Sequence, residues 1–328
     1  MRCIRGGVWE GSMDNRFDSK GGPGDLRNLS PDSVNLLPEE REKERSLGLY
    51  RAARDFDRDG RCREALSLYK ESLSICREIG DRAGEGAALN RIGRMYHVRC
   101  SYVDALICLE ESLVIYREIG DRAGQGDILN HIGRICQERC NYGEALACLE
   151  ESLVICREIG DRYGEGGTLN HIGRIHQERC DYADALTCLE ESLIICREVG
   201  DRAGEGAALA DIGRICRVRC NYADAMPLFK RSLSICREIG DKAEEAVVSW
   251  DIGCMYDEQG DKGRAEQYIR RAFRLAEAVS HPSVEKYRRT LARIRAGRRN
   301  SLPEAGHGDL LSTSCPPGTL PIDPSSEE

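Results

Sequence analysis

The chain has 328 residues, of which 41% are hydrophobic, 32% are charged and 5% are aromatic, and its formal net charge at pH 7 is -8. The acidic balance argues against a general nucleic-acid binder, which needs a basic face. The sequence lacks both the run of about 18 apolar residues that crosses a membrane and the apolar stretch of a secretory signal at its start. We therefore expect a soluble, cytoplasmic protein without a nucleic-acid or membrane partner.

Residues 1–45 are rich in Gly, Ser and Asp, and this composition predicts a disordered segment. A pattern of 40 residues then recurs six times over residues 46–281. In the unit at 122–161, the first half has apolar or small residues at i, i+3, i+4 and i+7, namely Leu129, Ile132, Gly133 and Cys136. The second half shows the same spacing, so each unit predicts two amphipathic helices.

Start and stop signals separate the predicted helices. Each unit ends in a Gly-Asp pair such as Gly160-Asp161, which supplies a helix-ending glycine and the N-cap of the next helix. The turn inside a unit carries a polar residue with an acidic residue three positions later, as in Ser101 and Asp104. This spacing is a variant of the capping box.

The units resemble tetratricopeptide repeats. The residues that carry the resemblance in the second unit are Leu89, Ile92-Gly93, Tyr96, Ala105, Leu109 and Ser112. The resemblance implies an all-α, right-handed solenoid of six helix-turn-helix repeats. Two features depart from the family pattern: the period is 40 residues instead of 34, and Cys replaces the inter-helix Gly in four units. The long period is similar to the arrays of Pins-type (Leu-Gly-Asn repeat) adaptors, whose GoLoco motifs do not occur here.

A polar stripe recurs on the first helix of the units, opposite its apolar face. By resemblance, first helices line the concave wall, so the stripe is expected to face a groove. The predicted peptide-binding residues are Asn90, Asn130, Asn170, Arg94, Arg134, Arg174, Arg214, Gln137 and Gln177. Asn can pair with the backbone of an extended peptide, and Arg binds carboxylates through two parallel hydrogen bonds.

Alternative roles for these polar residues remain open. The Asn side chains would instead bond neighbouring repeats, and the Arg side chains would be solvated or paired along the helix, as in Arg134 with Glu138. Position places His131 and His171 at the rim of the groove.

The sequence predicts no catalytic, cofactor or metal site. The 17 cysteines include no C-x-x-C motif, and most lie at repeat-equivalent positions, which are too far apart for disulfides. We expect reduced thiols in a reducing compartment. The Gly-Glu-Gly runs follow helices instead of strands, so they do not resemble a phosphate loop. Adjacent pairs such as Glu110-Glu111 do not face each other on a helix, which leaves no acid–base dyad. The chain is not expected to be an enzyme.

The C-terminal part has two predicted segments. Residues 282–298 predict a helix that caps the array, and residues 299–328 form a Pro- and Ser-rich, disordered tail. Arg298, Ser301 and Pro303 resemble a basophilic-kinase site. Phosphorylation of Ser301 would create a docking motif for a 14-3-3 protein.

These observations predict a non-catalytic scaffold or adaptor that binds an extended, acidic peptide segment of a partner protein in its concave groove. Two alternatives remain open at this point. The array is a self-associating structural spacer, or it is a regulatory protein that senses a ligand or peptide. No output domain accompanies the repeats in this sequence, which counts against the second alternative.

Overall fold

A computed structural model of the chain describes residues 37–301, with the side chains of 298–301 excluded. This region contains thirteen α-helices. They are α1 (Pro38–Arg58), α2 (Cys62–Ile79), α3 (Arg82–Val98), α4 (Tyr102–Glu118), α5 (Arg122–Glu138), α6 (Tyr142–Ile159), α7 (Arg162–Glu178), α8 (Tyr182–Val199), α9 (Arg202–Val218), α10 (Tyr222–Ile239), α11 (Lys242–Glu258), α12 (Lys262–Ala278) and α13 (Val284–Ser301).

The helices form six consecutive antiparallel pairs, from α1 with α2 to α11 with α12, and α13 packs on α12 at the end of the array. The predicted all-α solenoid of six helix-turn-helix repeats with a capping helix is confirmed. No helix within residues 37–301 is both long and apolar enough to cross a membrane.

The ends of the array differ from the sequence-based boundaries. Helix α1 starts at Pro38, eight residues before the predicted start of the repeats at 46, with the helix-favouring Pro-Glu-Glu sequence in its first turn. Helix α13 spans Val284–Ser301 instead of 282–298. Of the segments expected to be disordered, 1–45 and 299–328, residues 38–45 belong to α1 and 299–301 to α13, and residues 1–36 and 302–328 lie outside the described part of the chain. So does the side chain of Ser301, and its phosphorylation stays a prediction.

The predicted signals at the unit boundaries are confirmed, and those inside the units differ from turn to turn: the Asn221 side chain accepts a hydrogen bond from the Asp224 N–H, whereas Ser101 does not cap its helix. Asp161 caps α7 by accepting a hydrogen bond from the Gly164 N–H at 2.9 Å, and four other boundary aspartates do the same for their helices. Inside the units, the Ser101 hydroxyl instead donates to the Asp104 carboxylate. The turn residue before it, Cys100, has a positive φ of 58°, the left-handed conformation that glycine usually provides.

Close contact between the two helices of a repeat depends on one glycine. A Cβ atom on Gly133 of α5 would lie 2.6 Å from Leu149 Cγ and 3.2 Å from the Ala145 carbonyl oxygen of α6. The same contact recurs in the following order: Gly93 with Leu109, Gly173 with Leu189, Gly213 with Phe229, and Gly253 with Ile269. A second contact joins the two helices of this repeat, since the Ser152 hydroxyl of α6 donates to the Gly126 carbonyl of α5 at 2.8 Å.

Ion pairs hold the Gly-Glu-Gly runs in place. The nearly buried Glu165 carboxylate accepts hydrogen bonds from Arg157 of the preceding helix and from Arg162 of its own helix, both at 2.7 Å. Burial opposes ionisation of Glu165, but the two guanidiniums outweigh it and lower the pKa of this carboxyl. The glutamate of this run is therefore a structural element that clamps successive helices.

We predict that Gly133→Ala destabilises the array by about 1–3 kcal/mol, because the added methyl group overpacks the contact with Leu149. Gly167→Ala is the matched control within α7, where a Cβ atom meets nothing within 4 Å. It should stabilise the protein by roughly 0.5–1 kcal/mol, since Ala favours helix more than Gly. Thermal unfolding followed by circular dichroism measures both. Equal effects of the two variants would contradict the close-contact role of Gly133.

Candidate functional site

The odd-numbered helices form one continuous wall of the solenoid. Each contacts the next odd-numbered helix, from α1 with α3 to α9 with α11. Hydrogen bonds between side chains 37 to 41 residues apart connect these helices directly, for example His97 of α3 with Glu138 of α5 at 3.0 Å. Equivalent positions of the first helices therefore lie next to each other, which is the arrangement that a common binding surface requires.

The three asparagines of the predicted set are half-buried and differ in their partners. Asn90 donates to the Asp127 carboxylate at 2.9 Å, and Asn130 donates to the Thr168 hydroxyl at 2.9 Å. The alternative in which Asn bonds the neighbouring repeat is thus realised for these two residues. Asn170 is different, because the corresponding position of α9 is Ala208, and its buried Nδ2 has no partner within the described region.

The two glutamines of the predicted set also differ in their partners. Gln137 is buried, not exposed as its position on the helix predicts, because the next odd-numbered helix covers it. Its Nε2 donates to Glu178 at 3.0 Å. Gln177 has Val218 at the corresponding place, and its buried Oε1 lacks a partner within residues 37–301. Of the three buried amide atoms of the set that lack a partner within residues 37–301, two lie on α7 and the third, Asn90 Oδ1, lies on α3.

The arginines are the clearest part of the site. Arg94, Arg134 and Arg174 take part in no ion pair with the described residues. Glu138 bonds His97 and Glu178 accepts from Gln137, so the local i,i+4 alternative is not realised.

These three guanidiniums act on one another. Burial lowers the pKa of Arg134, and the positive charges of Arg94 and Arg174 lower it further, whereas Glu138 and Asp127 oppose the effect. Arg134 thus lies between two like charges in partly desolvated surroundings. We call Arg94, Arg134 and Arg174 the arginine column.

Arg214, the fourth predicted arginine, does not share this situation. Its Nε donates to Asp251 at 2.8 Å, it pairs with Asp211 one turn earlier on the same helix, and Glu244 lies 3.5 Å away. Asp211 and Asp251 are buried. Arg214 is therefore neutralised within the fold and is not available to a ligand in the same way.

The two histidines lie deeper than the rim position that the sequence predicts. His131 is buried and faces Asp127 at 3.4 Å, while His171 is half-buried. Burial, together with Arg134 and Arg174, holds the pKa of His171 well below its usual value. The Nδ1 atoms of both rings are buried without a partner among the described groups. His171 therefore adds neutral polar surface beside the arginine column.

Asp127 reduces the positive charge at the other end of the column. Burial raises its pKa, but His131, Arg94 and the hydrogen bond from Asn90 outweigh burial and keep the carboxyl ionised. The most positive section of the wall thus lies at Arg134 and Arg174, between Asp127 on one side and the acidic cluster around Arg214 on the other.

Sequence reasoning missed Asp211, Asp251 and Glu244 as partners of Arg214. A signal for them exists in the repeat alignment. One column of the first helix reads Arg91, His131, His171, Asp211 and Asp251. The change from basic to acidic residues marks where the wall changes character, and it is visible only if each repeat position is followed through all units.

Among residues 37–301, no group of three or more His, Cys, Asp and Glu side chains is arranged to hold a metal ion. All fifteen cysteines of this region are free.

Comparison with known proteins identifies the repeats. The Tetratricopeptide repeat family profile matches residues 47–118, 84–158, 164–238 and 205–278, more than half of the chain. A comparison with curated proteins finds no significant match.

Solved structures show the same fold at low identity. The apo form of RapI superposes with a TM-score of 0.59 at 15% identity, over 78% of this chain and 99% of that one. A Rap protein complexed with Competence and Sporulation Factor gives 0.57 at 14%, over 81% and 78%. A signal-transduction ATPase with a tetratricopeptide repeat sensor, from Pyrococcus horikoshii, gives 0.63 at 17%, over 79% and 40%.

We predict that Arg214→Gln and Arg134→Gln differ sharply in stability. Loss of Arg214 leaves buried carboxylates unpaired and should cost about 3–5 kcal/mol. Loss of Arg134, which has no acid partner, should change the free energy of unfolding by no more than about 0.5 kcal/mol. Urea unfolding at pH 7 compares the two, and a similar loss in both variants would show that Arg134 is also part of a structural ion pair.

We predict that His171 makes the array less stable in acid. Its folded-state pKa is lowered, so the unfolded chain binds the proton first, and stability present above about pH 6.5 is lost as the pH falls below that value. The slope for one histidine is at most about 1.4 kcal/mol per pH unit. The free energy of unfolding, measured between pH 7 and pH 5, should decrease less steeply with falling pH for His171→Gln than for wild type. Parallel curves would contradict the assignment.

Proposed function

We propose that this chain, which belongs to the tetratricopeptide repeat family, binds an extended acidic segment of a partner protein along the wall of its odd-numbered helices. The observation that carries the proposal is the arginine column, three guanidiniums without acid partners among residues 37–301, of which Arg94 and Arg134 are half-buried and Arg174 is exposed. Arg134 is held between two like charges. Carboxylates from a ligand would relieve that repulsion and form bidentate hydrogen bonds.

The unpartnered amides of α7 favour a peptide over a simple anion. The buried Nδ2 of Asn170 is a donor and the buried Oε1 of Gln177 is an acceptor. A buried polar atom without a partner costs about 1–3 kcal/mol. An extended backbone offers both C=O and N–H groups along its length, so it can satisfy both amides at once, whereas sulfate, which has no donor, cannot.

The spacing of the wall indicates how acidic residues would be placed in the ligand. Packed helices lie about 8–10 Å apart, and an extended or polyproline-like chain advances about 3.1–3.3 Å per residue. One repeat therefore corresponds to roughly three residues of peptide. A segment with an acidic residue at every third position would present its carboxylates to Arg94, Arg134 and Arg174 in turn.

The acidic residues around Arg214 limit the part of the groove that can bind an acidic segment. Beyond α7, Arg214 is already neutralised by Asp211 and Asp251. An acidic ligand gains nothing there and is repelled by the surplus carboxylates. Three repeats, α3 to α7, thus define the length of the acidic segment.

Of two other functions, only the self-associating spacer predicts a different result in a peptide-binding experiment. A self-associating spacer would dimerise through this wall and take up no peptide. A regulatory protein that senses a peptide would bind one in the same place, and the fold shared with the Rap protein crystallised with Competence and Sporulation Factor makes this the stronger second candidate. The binding step that we propose is common to the adaptor and the sensor.

We predict that a fluorescein-labelled peptide of four Glu-Ser-Pro units binds the full-length chain, whereas the same peptide with Gln in place of Glu does not. Arg134→Glu/Arg174→Glu should reduce the affinity by about 30-fold or more, since loss of two charge contacts costs on the order of 2–5 kcal/mol. Fluorescence anisotropy measures the affinity.

The matched control is Arg139→Glu/Arg179→Glu. It makes the same change in net charge on exposed residues that follow α5 and α7. It should leave binding within about threefold of wild type. Equal losses in both double variants would mean that only net charge matters, and equal affinity of wild type and Arg134→Glu/Arg174→Glu would remove the arginine column from the site.

A further inference from the structure

The outer surface of the middle repeats carries apolar side chains that the fold does not cover. Val114 of α4, Val154 of α6 and Ile194 of α8 occupy the same repeat position and are 53%, 54% and 56% exposed. On α4 the exposed Val103 and Ile107 extend this apolar surface along the helix. Contiguous exposed apolar surface of this kind marks interaction sites more often than isolated residues do.

A column of free carboxylates runs beside the apolar column. Glu110, Glu150 and Glu190 lie four residues before the apolar positions, which places them on the same helix face about 6 Å away. All three are exposed, and none takes part in an ion pair or hydrogen bond with residues 37–301. We call Val114, Val154, Ile194, Glu110, Glu150 and Glu190 the outer patch.

The carboxylates next to the outer patch, in contrast, are paired with arginines. Glu151 accepts a hydrogen bond from Arg117 at 2.7 Å, and Glu191 accepts one from Arg157 at 2.7 Å. These ion pairs connect α4 with α6 and α6 with α8. The arginines beside the patch are thus already paired, and the patch has no cation of its own to balance Glu110, Glu150 and Glu190.

The patch ends sharply on both sides. At the apolar position, the first and fifth repeats carry Ser74 and Ser234, and at the acidic position they carry Lys70 and Lys230. Both columns therefore change together at the same two borders, although the helices α2 and α10 keep the buried residues of the repeat. Packing does not require the apolar and acidic residues here, because the same helix forms with Ser and Lys.

We infer that the outer patch is a second protein-binding surface and that it receives a basic amphipathic helix of a partner protein. The two parallel columns, one apolar and one anionic, match a helix with a stripe of Leu or Ile beside a stripe of Lys or Arg. An extended strand sends alternate side chains to opposite faces, so it would offer only one row to this surface. A second copy that met this surface with its own outer patch would place carboxylates against carboxylates, and an anionic membrane is repelled by them.

This surface lies on the even-numbered helices and is independent of the groove on the odd-numbered helices. The chain would therefore bind two ligands of opposite charge at the same time, an acidic extended segment on one wall and a basic helix on the other.

The probe for this inference is a fluorescein-labelled, 21-residue helical peptide of Leu and Lys with the two residue types on separate faces. We expect it to bind the full-length chain in fluorescence anisotropy and a peptide of the same composition in scrambled order to bind at least about tenfold more weakly, because only the first has an apolar stripe. A Leu and Glu version should not bind.

Two triple variants introduce the residues that the chain itself carries at these positions in its first and fifth repeats. Val114→Ser/Val154→Ser/Ile194→Ser removes the apolar column, and Glu110→Lys/Glu150→Lys/Glu190→Lys reverses the acidic one. Each should weaken binding of the Leu and Lys peptide by about tenfold or more, with an unchanged circular dichroism spectrum. The groove variant Arg134→Glu/Arg174→Glu should retain binding within about threefold of wild type.

The inference is overturned if both triple variants bind the peptide as tightly as wild type does, or if the scrambled peptide binds equally well. Sedimentation velocity tests the remaining occupant. A wild-type dimer that becomes monomeric in Val114→Ser/Val154→Ser/Ile194→Ser would assign the patch to a second copy of the chain and reject the partner helix.

Discussion

The close approach of two helices at a single glycine is the constraint on which the array depends. Where Gly133 faces Leu149, no Cβ atom fits between the helices, and four other repeats have the same contact. This approach fixes the angle and distance within each pair, and the Ser152 bond to the Gly126 carbonyl fixes its register. Because five of the six pairs share this contact, each surface position recurs at a regular interval along the solenoid. The residues at one repeat position therefore form a column on the surface.

In such a column, like charges at equivalent positions of successive repeats add to one another's electrostatic effect. An isolated surface arginine contributes little to binding or stability. Arg134, however, lies between Arg94 and Arg174, and the positive charges of both lower its pKa. The same regularity explains why one change of residue type can end a surface. The column that starts with Arg91 becomes acidic at Asp211, and Arg214 is neutralised there. On the outer face, Lys70 and Lys230 limit the acidic column in the same manner.

The sequence predicted the fold almost completely, because helix periodicity, the Gly-Asp boundaries and the small residues at Gly133 and Ala145 are all local signals. The site was harder to predict. A helical wheel places Gln137 opposite the apolar face, yet the neighbouring odd-numbered helix buries it. The pairing of Arg214 with Asp251 connects residues 37 positions apart, and a wheel drawn for one helix contains no information on such contacts. An alignment of the repeats, which compares equivalent positions, would have shown where acidic residues replace basic ones on this wall.

Two walls with opposite charge follow from the same repeated geometry. Within residues 37–301, α3, α5 and α7 present the unpaired guanidiniums of the arginine column, and α4, α6 and α8 present the unpaired carboxylates of the outer patch next to apolar side chains. The two proposed sites would each hold a different protein segment.

The most direct measurement of the central claim is nuclear magnetic resonance of the arginine Nε–Hε groups in the isotopically labelled chain, with resonances assigned by single substitutions. On titration with the Glu-Ser-Pro peptide, the signals of Arg134 and Arg174 should move and exchange more slowly with solvent, while that of Arg214, already bonded to Asp251, should stay where it is. A shifted Arg214 signal with unmoved Arg134 and Arg174 signals would contradict the account.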